Sequence, residues 1–339
     1  MFSSVSFDIT LIWAGIIAFA VFMYVMLDGF DLGLGILFPF ARRDADRDLM
    51  MNSAAPIWDG NETWLILGGA ALFGAFPLAY SVLLPAFYLP LILMLLGLIF
   101  RGVAFECRFK SSQANRHWWD KAFAWGSYSA TFAQGVVLGS FVEGLEVVDR
   151  AFKGDALSWL TPFSLFCGLA LVGGYAMLGA GWVILKTEGP LQDWAFGIMR
   201  TLGFVMLAAI VVVSLWTPFL HPEIAQRWFS WPNILYLSPV PILVGLTILR
   251  LGVAIARREE RSPFLLTLGL FLLSYAGLAI SLFPHIIPPS VTIWEAAAPR
   301  SSQLFMLVGT AVLIPTILTY TAYNYYVFRG KVSDEGYHH

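Results

Sequence analysis

Two aspartates, Asp28 and Asp31, interrupt an apolar run from Ile9 to Phe38 that holds no other charge. They are three residues apart, so on a helix they share one face with Cβ atoms about 5–6 Å apart. Carrying an aspartate near the centre of a membrane helix costs about 2.5–3.5 kcal/mol. Residues kept at that cost usually mark proton or ion paths. The bland alternative is that the pair reaches the inner interface or bonds a neighbouring helix. Asp28 precedes Gly29 and suits such a local polar contact, whereas Asp31 is the expected relay. Gly29 and Gly33 form a small-xxx-small pair that lets a second helix approach beside Asp31.

Two further segments bring polar residues to the same depth. Trp58, Asp59, Gly60, Asn61 and Glu62 occupy the first half of a second apolar stretch, and Arg101, Glu106 and Arg108 end a third. Counted from the inner ends at 1.5 Å per residue, Asp31 lies about 10 Å deep, Asp59 about 13 Å, and Arg101 near both. A polar layer in the inner half of the membrane follows. Carboxylates that pass protons, an amide, and an arginine that keeps some acids ionised form a water-linked path from the cytoplasm. An Asp59–Arg101 ion pair that only fastens helices is the alternative, and both can hold together.

The elements that must position these residues are membrane helices. Of 339 residues, 58% are hydrophobic and 12% charged, and the mean hydropathy is +0.74; a soluble domain carries about 25% charged residues. A net charge of -2 leaves no basic footprint for nucleic acid, so lipid, membrane subunits and lipophilic small molecules are the expected partners. Runs near 9–38, 50–74, 78–108, 118–146, 161–187, 193–220, 235–258, 263–284 and 302–329 are long enough to span about 30 Å of hydrocarbon. The second, broken by Asp59, Asn61 and Glu62, is the weakest. The first has no Lys or Arg before it and reads as a mature helix rather than a signal peptide.

Basic residues test this count, because Lys and Arg near helix ends gather on the cytoplasmic side. With nine spans and the N-terminus outside, all twenty except Arg150, Lys153, Arg227 and Arg300 fall inside. The expected fold class is therefore an all-α integral membrane protein with about nine transmembrane helices, N-terminus outside and C-terminus inside. Tyr24-Val25-Met26-Leu27 is echoed by Tyr175-Ala176-Met177-Leu178 in the fifth run, which suits two parallel four-helix repeats plus one extra helix. The division is 1–150 for the first repeat with the polar layer, 151–290 for the second, and 291–339 for the ninth helix and cytoplasmic tail. Gly179 and Trp182 stand where the second copy would carry Asp28 and Asp31. The polar connections near 146–160, 220–234 and 285–301 fall outside, the last turned by Pro288-Pro289. Trp13, Trp118, Trp119, Trp159, Trp228, Trp231 and Trp294 lie at span ends as an interfacial belt. Cys107 and Cys167 fall near opposite faces, which argues against a disulfide.

Haem in a helical bundle needs axial His or Met. His117, His221 and His285 lie in or beside loops and His338 and His339 are terminal, so no haem is expected on this chain. Methionines at helical spacing read as packing. No Cys/His metal cluster, phosphate loop or nucleophile motif is present, and no metal site is expected.

Asp28-Gly29-Phe30-Asp31-Leu32-Gly33 followed by Met51-Asn52-Ser53-Ala54-Ala55-Pro56-Ile57-Trp58-Asp59-Gly60-Asn61-Glu62-Thr63-Trp64 resembles subunit II of the cytochrome bd family of quinol oxidases. Phe100-Arg101-Gly102-Val103-Ala104-Phe105-Glu106 with Arg108 resembles its third-helix segment. Phe283-Pro284, Pro288, Thr292-Ile293-Trp294-Glu295 and Ser301-Ser302-Gln303-Leu304 resemble its last external loop. The resemblance spans essentially the whole chain, and the Trp-Asp-Gly-Asn block on a membrane helix is its specific part.

The resemblance implies a complex in the bacterial cytoplasmic (inner) membrane that oxidises quinol, reduces O2 to water and draws its protons from the cytoplasm. Haem b, haem d and the quinol site would belong to subunit I; subunit II would be the haem-free partner required for assembly and involved in proton supply. Asp31 and Asp59 match acidic positions of that route with Trp58 beside them, and Trp64 matches a position near a path by which oxygen enters. The proton-path residues are thus Asp31, Asp59, Trp58, Asp28 and Glu62, supported by Arg101, Glu106 and Asn61. Compact external loops resemble the cyanide-insensitive branch, and Glu62 stands where some members have Gln. A small single-helix subunit and a quinone bound to subunit II occur in some members, and no motif here decides either. Two rival classes remain open on the residues alone: a proton-coupled secondary transporter, and a purely structural membrane subunit.

Overall fold

The computed structural model describes residues 8–332. The chain folds as α1 (Ile9–Leu37), a 3-10 turn (Phe38–Phe40), α2 (Asp44–Ala54), α3 (Trp58–Ala75), α4 (Pro77–Ala86), α5 (Tyr88–Lys110) and α6 (Gln113–Glu143). A hairpin of β1 (Val147–Val148) and β2 (Ala151–Phe152) leads to α7 (Pro162–Lys186), α8 (Gly189–Leu220), α9 (Pro222–Phe229), α10 (Asn233–Leu237), α11 (Pro239–Ala256) and α12 (Ser262–Leu282). A second hairpin, β3 (His285–Ile287) and β4 (Val291–Thr292), precedes α13 (Ile293–Ala296) and α14 (Arg300–Val327). Both hairpins are antiparallel.

Such apolar runs become helices because hydrocarbon offers no partner to a free N–H or C=O. Their ends are capped where they leave it. Asp8 Oδ1 accepts from the N–H groups of Thr10 and Leu11 at 3.0 and 3.3 Å, and Thr161 and Ser164 form a reciprocal capping box at α7. Seven helical segments are long and apolar enough to cross a membrane: α1, α5, α7, α8, α10 with α11, α12 and α14. The two other expected spans, α3 and α6, are 18 and 31 residues long but more polar. The all-α membrane architecture is as expected.

Two runs break where continuous helices were expected. The run near 50–74 divides at 55–57, because Pro56 brings no N–H to the helical ladder; its carbonyl accepts instead from Asn324 Nδ2 at 3.3 Å. The run near 78–108 divides at Phe87, between Pro85 and Pro90. The stretch near 220–234 is also not a plain loop, since it contains α9.

α1 and α7 form the centre, with α6, α3 and α12 around them. A Cβ on Gly33 would lie 1.9 Å from the Tyr175 carbonyl oxygen, and one on Gly179 would lie 2.4 Å from the Gly33 carbonyl carbon. Only glycine permits that backbone contact. At one end of the bundle the hairpins interlock, with Leu145 N–H bonded to Pro288 O and Ser290 Oγ to Leu145 O. At the other end Lys186 Nζ holds the carbonyls of Phe328 and Gly330, tying the tail beyond α14 to the end of α7. Cys107 and Cys167 are free thiols on α5 and α7.

Candidate functional site

The second half of α1, from Asp28 to Leu37, is buried throughout. Its two carboxylates are met by different helices. Arg101 comes from α5, which crosses α6 at glycines: a Cβ on Gly97 would lie 2.6 Å from Gly126 O, and one on Gly126 would lie 2.9 Å from Arg101 N. The Arg101 guanidinium lies wholly buried against α1 and α3. Arg101 Nη1 donates to Asp28 Oδ1 at 2.7 Å, and Nη2 to Glu62 Oε2 at 3.1 Å. Trp58 covers this group, its ring 5.8 Å from the Arg101 guanidinium and stacked on Phe105 at 5.2 Å and 8°.

Asp31 is held separately. Asn61 Nδ2 donates to Asp31 Oδ2 at 2.7 Å, and the Tyr325 hydroxyl donates to Asn61 Oδ1 at 2.9 Å. The α2–α3 break makes this possible, because α3 starts beside α1 and carries Asn61 in its first turns. Asp28 Oδ2, Asp31 Oδ1 and Arg101 Nε are buried without a hydrogen-bond partner. A buried pair that leaves polar atoms open is costly for stability.

A third strand of the network runs to the middle of α6. Tyr24 lies one turn before Asp28 with its hydroxyl beside that carboxylate. Gln134 Nε2 donates to the Tyr24 hydroxyl at 2.8 Å, and the Tyr175 hydroxyl donates to Gln134 Oε1 at 3.0 Å. Gln134 and Tyr325 are not among the residues expected from the sequence. A lone amide inside an apolar run was the available signal for the first; nothing local marked the second.

Several expected positions lie elsewhere. Asp59 is exposed in the first turn of α3 and does not pair with Arg101, because the helix starts at Trp58 rather than near Met50. Glu106, expected in the layer, points outward and pairs with Lys110 one turn later at 3.0 Å. Glu62 takes the place expected for Asp59, and Asp28, expected to make a polar contact, holds the arginine as well. Trp64 is fully buried, edge-on to Phe19 at 5.6 Å, with its indole N–H unpartnered. Arg108 leaves the layer for a rim nearer the helix ends, where it donates to Asp120 and Asp48, each at 2.5 Å. Arg116 shares Asp48 at 2.9 Å, and Arg47 shares Asp120 at 3.2 Å.

The described histidines do not fit haem ligation inside the bundle. His117 is exposed and bonded to Ala114 O, His221 Nε2 is bonded to Val142 O at the end of α6, and His285 lies in β3. Among the described residues no group of three or more His, Cys, Asp or Glu could hold a metal ion. His338 and His339 lie outside the described residues.

Comparisons with known proteins agree on one family. The family model "Cytochrome bd terminal oxidase subunit II" matches residues 9–328. The chain is 30% identical to "Cytochrome bd-I ubiquinol oxidase subunit 2" of Escherichia coli (strain K12), covering 96% of this chain and 95% of the relative. It is 26% identical to "Cytochrome bd ubiquinol oxidase subunit 2" of Bacillus subtilis (strain 168), covering 95% and 96%. The solved bd oxidase from Geobacillus thermodenitrificans shares the fold, with a TM-score of 0.72 at 16% identity over 92% of this chain and 97% of that one. With the whole of the described bundle inside that match, the chain belongs to the cytochrome bd terminal oxidase subunit II family.

Proposed function

We propose that this chain is the haem-free subunit II of a bacterial inner-membrane quinol oxidase, that it supports assembly with subunit I, and that its buried layer carries cytoplasmic protons toward the oxygen-reducing haem of that partner. The complex's haems, b and d, would supply electron transfer to O2 from subunit I. The observation that carries this reading is Asp31: wholly buried, one oxygen on Asn61, the other open, and three residues from an Asp28 already neutralised by Arg101. An acid that makes no ion pair of its own, next to one that does, can take up and release a proton without dismantling the fold.

The remaining residues have separable roles. Arg101 fixes Asp28 and Glu62, Asn61 orients Asp31, and Trp58 shields the group. Glu62, with 24% of its side chain exposed, and exposed Asp59 lead away from Asp31 along α3. That side of the molecule is unusually open. Tyr320, Tyr323 and Tyr326 on α14 are 57%, 66% and 63% exposed, and such hydroxyl-bearing rings suit a protein surface better than hydrocarbon. We take α3, α5 and α14 as the face for subunit I, and Trp64, packed among Phe19, Ala20 and Tyr24, as the wall of the path by which oxygen enters. The inner end is the cytoplasmic one, since the Arg108 rim, Lys186 and Lys331 gather there. The repeats 1–150 and 151–290 rest on the parallel pair α1 and α7, whose tyrosines meet at Gln134.

The test replaces Asp31 and Asp59 singly by Asn in the complex. Quinol oxidase turnover is expected to fall further than the yield of haem-containing complex, by about tenfold or more for Asp31→Asn. Full turnover in both variants sinks the proposal. Loss of complex with normal turnover in the remainder makes the subunit purely structural. Solute uptake by the purified chain, with no haem in the absorption spectrum of complex isolated through it, makes it a proton-coupled transporter.

A further inference from the structure

On the side away from α3 and α14, a groove of about 270 Å³ opens between α1, α6, α7 and α8. Its walls are apolar, with Leu37, Phe40, Val172, Ala176 and Leu202 among them, and the Tyr128 hydroxyl is already used on Ile36 O at 3.0 Å. That lining carries no charged side chain. The groove fits a hydrocarbon chain.

Its inner mouth has the opposite character. Lys121 lies seven residues before Tyr128, on the same face of α6 and about 10 Å nearer the inner end. Its ammonium rests 4.8 Å from the Trp118 ring and, among the described residues, pairs with no acid. Trp118 and Trp125 are 61% and 71% exposed, and Trp125 packs on Tyr128. Arg42 follows Phe40 by two residues, is exposed, and among the described residues makes no ion pair or hydrogen bond. The chain carrying it is anchored to α6 on both sides of Lys121: Phe38 stacks edge-on against Phe123 at 4.9 Å, and Arg47 bonds Asp120. The acids nearby are engaged elsewhere, Asp44 by Arg47, Asp46 by Arg43, and Asp120 by Arg108 and Arg47. Two cations without counter-charge, interfacial tryptophans and an apolar slot leading into the bilayer occur together here.

We propose that this face is a binding site for an anionic phospholipid of the cytoplasmic leaflet, one acyl chain lying in the groove and the phosphate between Arg42 and Lys121. Basic pockets between helices on the cytoplasmic side bind such headgroups through the same pairing of charge and hydrocarbon. The inference rests on the orientation proposed above and not on the proton path. The groove is lined by α1, α6, α7 and α8, none of which is assigned to the proposed subunit I face.

The experiment uses the detergent-purified complex. Native mass spectrometry and thermal unfolding would be followed as palmitoyl-oleoyl phosphatidylglycerol or phosphatidylcholine is added back. The wild type should retain and be stabilised by phosphatidylglycerol in preference to phosphatidylcholine. Lys121→Gln or Arg42→Gln should weaken that preference about fivefold each, and together roughly twenty-five-fold. Arg200→Gln, an exposed arginine on the opposite flank of α8 from Ile198 and Leu202, should leave it unchanged. Val172→Trp, which fills the groove, should remove binding of both lipids there while the mouth stays intact. Equal binding of the two lipids by the wild type overturns the proposal, as does a double variant that keeps the preference, or a quinone found in the groove in place of phospholipid. A loss of turnover in Asp31→Asn has no bearing on these outcomes.

Discussion

α1 and α7 carry similar tetrapeptides, Tyr24-Val25-Met26-Leu27 and Tyr175-Ala176-Met177-Leu178, and their hydroxyls meet at the two ends of one amide, Gln134. The next turn separates them. In α1 it brings Asp28 and Asp31, which recruit Arg101 from α5 and Asn61 from α3. In α7 it brings Gly179, whose missing side chain admits the α1 backbone, and Trp182, which stacks on Phe30 at 4.1 Å and donates to Ser53 Oγ at 3.1 Å. One helix is a packing surface on which the other displays its acids. A shared frame thus fixes where a turn lies in the membrane, and the residues of that single turn decide whether it carries charge or contact.

The sharpest way to break the contrast is to remove the cation from the charged side. Arg101→Leu leaves the buried Asp28 and the half-buried Glu62 unpaired, so the assembled complex should lose about 3–5 kcal/mol of stability and its yield should collapse. Haem absorbance per milligram of membrane protein measures this. Asp28→Asn with Arg101→Gln, which removes both charges, should recover part of the yield.

On the packing side, Gly33→Ala places a methyl group against the Tyr175 carbonyl. Forcing α1 and α7 apart should cost about 1–3 kcal/mol, while Gly69→Ala, where a Cβ meets nothing within 4 Å, should change thermal stability little. Equal shifts would show that the crossing is not tight.

Tyr325→Phe sharpens the distinction between holding and relaying. It removes the donor to Asn61 Oδ1, at about 1 kcal/mol, and frees the amide to turn away from Asp31. Turnover should fall and its pH profile should move, with complex yield kept; an unchanged profile would make Tyr325 a packing residue.

The smallest effect is expected at the outer end of α1. The Trp294 indole N–H, at 2.7 Å, holds the Asp8 carboxyl below its ordinary 3.8, helped by the backbone N–H groups of Leu11 and Thr10. A folded value below the unfolded one stabilises above about pH 3.8 and is lost as pH falls through the lowered value. Thermal unfolding followed from pH 5 to pH 3 (roughly the ordinary carboxylate range) should show a slope in the wild type that Asp8→Asn lessens.

Much of the scaffold was legible from local pattern. The long apolar runs at 9–37, 162–186 and 300–327 emerge as helices within a few residues of where hydropathy placed them, because a span's length is set by the bilayer. The breaks at Pro56 and Phe87 were not read, since hydropathy averages over a missing N–H. Those breaks mattered most for the site. By starting α3 at Trp58, the first moved Asp59 to an exposed first turn and turned Glu62 to Arg101. Glu106 was misplaced for a related reason: depth along a helix can be counted in sequence, but the side of the helix that meets a neighbour cannot.

Composition and spacing by themselves determined that this chain lives in a membrane, that α1 carries acids there at an energetic cost, and that an arginine and an amide lie at similar depth. Only the tertiary structure decided the pairing. Asp28 receives Arg101 and Asp31 receives Asn61 because α5 and α3 approach different turns of α1. Those approaches are set by glycine contacts at Gly97 with Gly126 and by the break before Trp58. Periodicity fixes which residues share a face, whereas hydrogen bonds across helices depend on crossings made by residues far away in the chain.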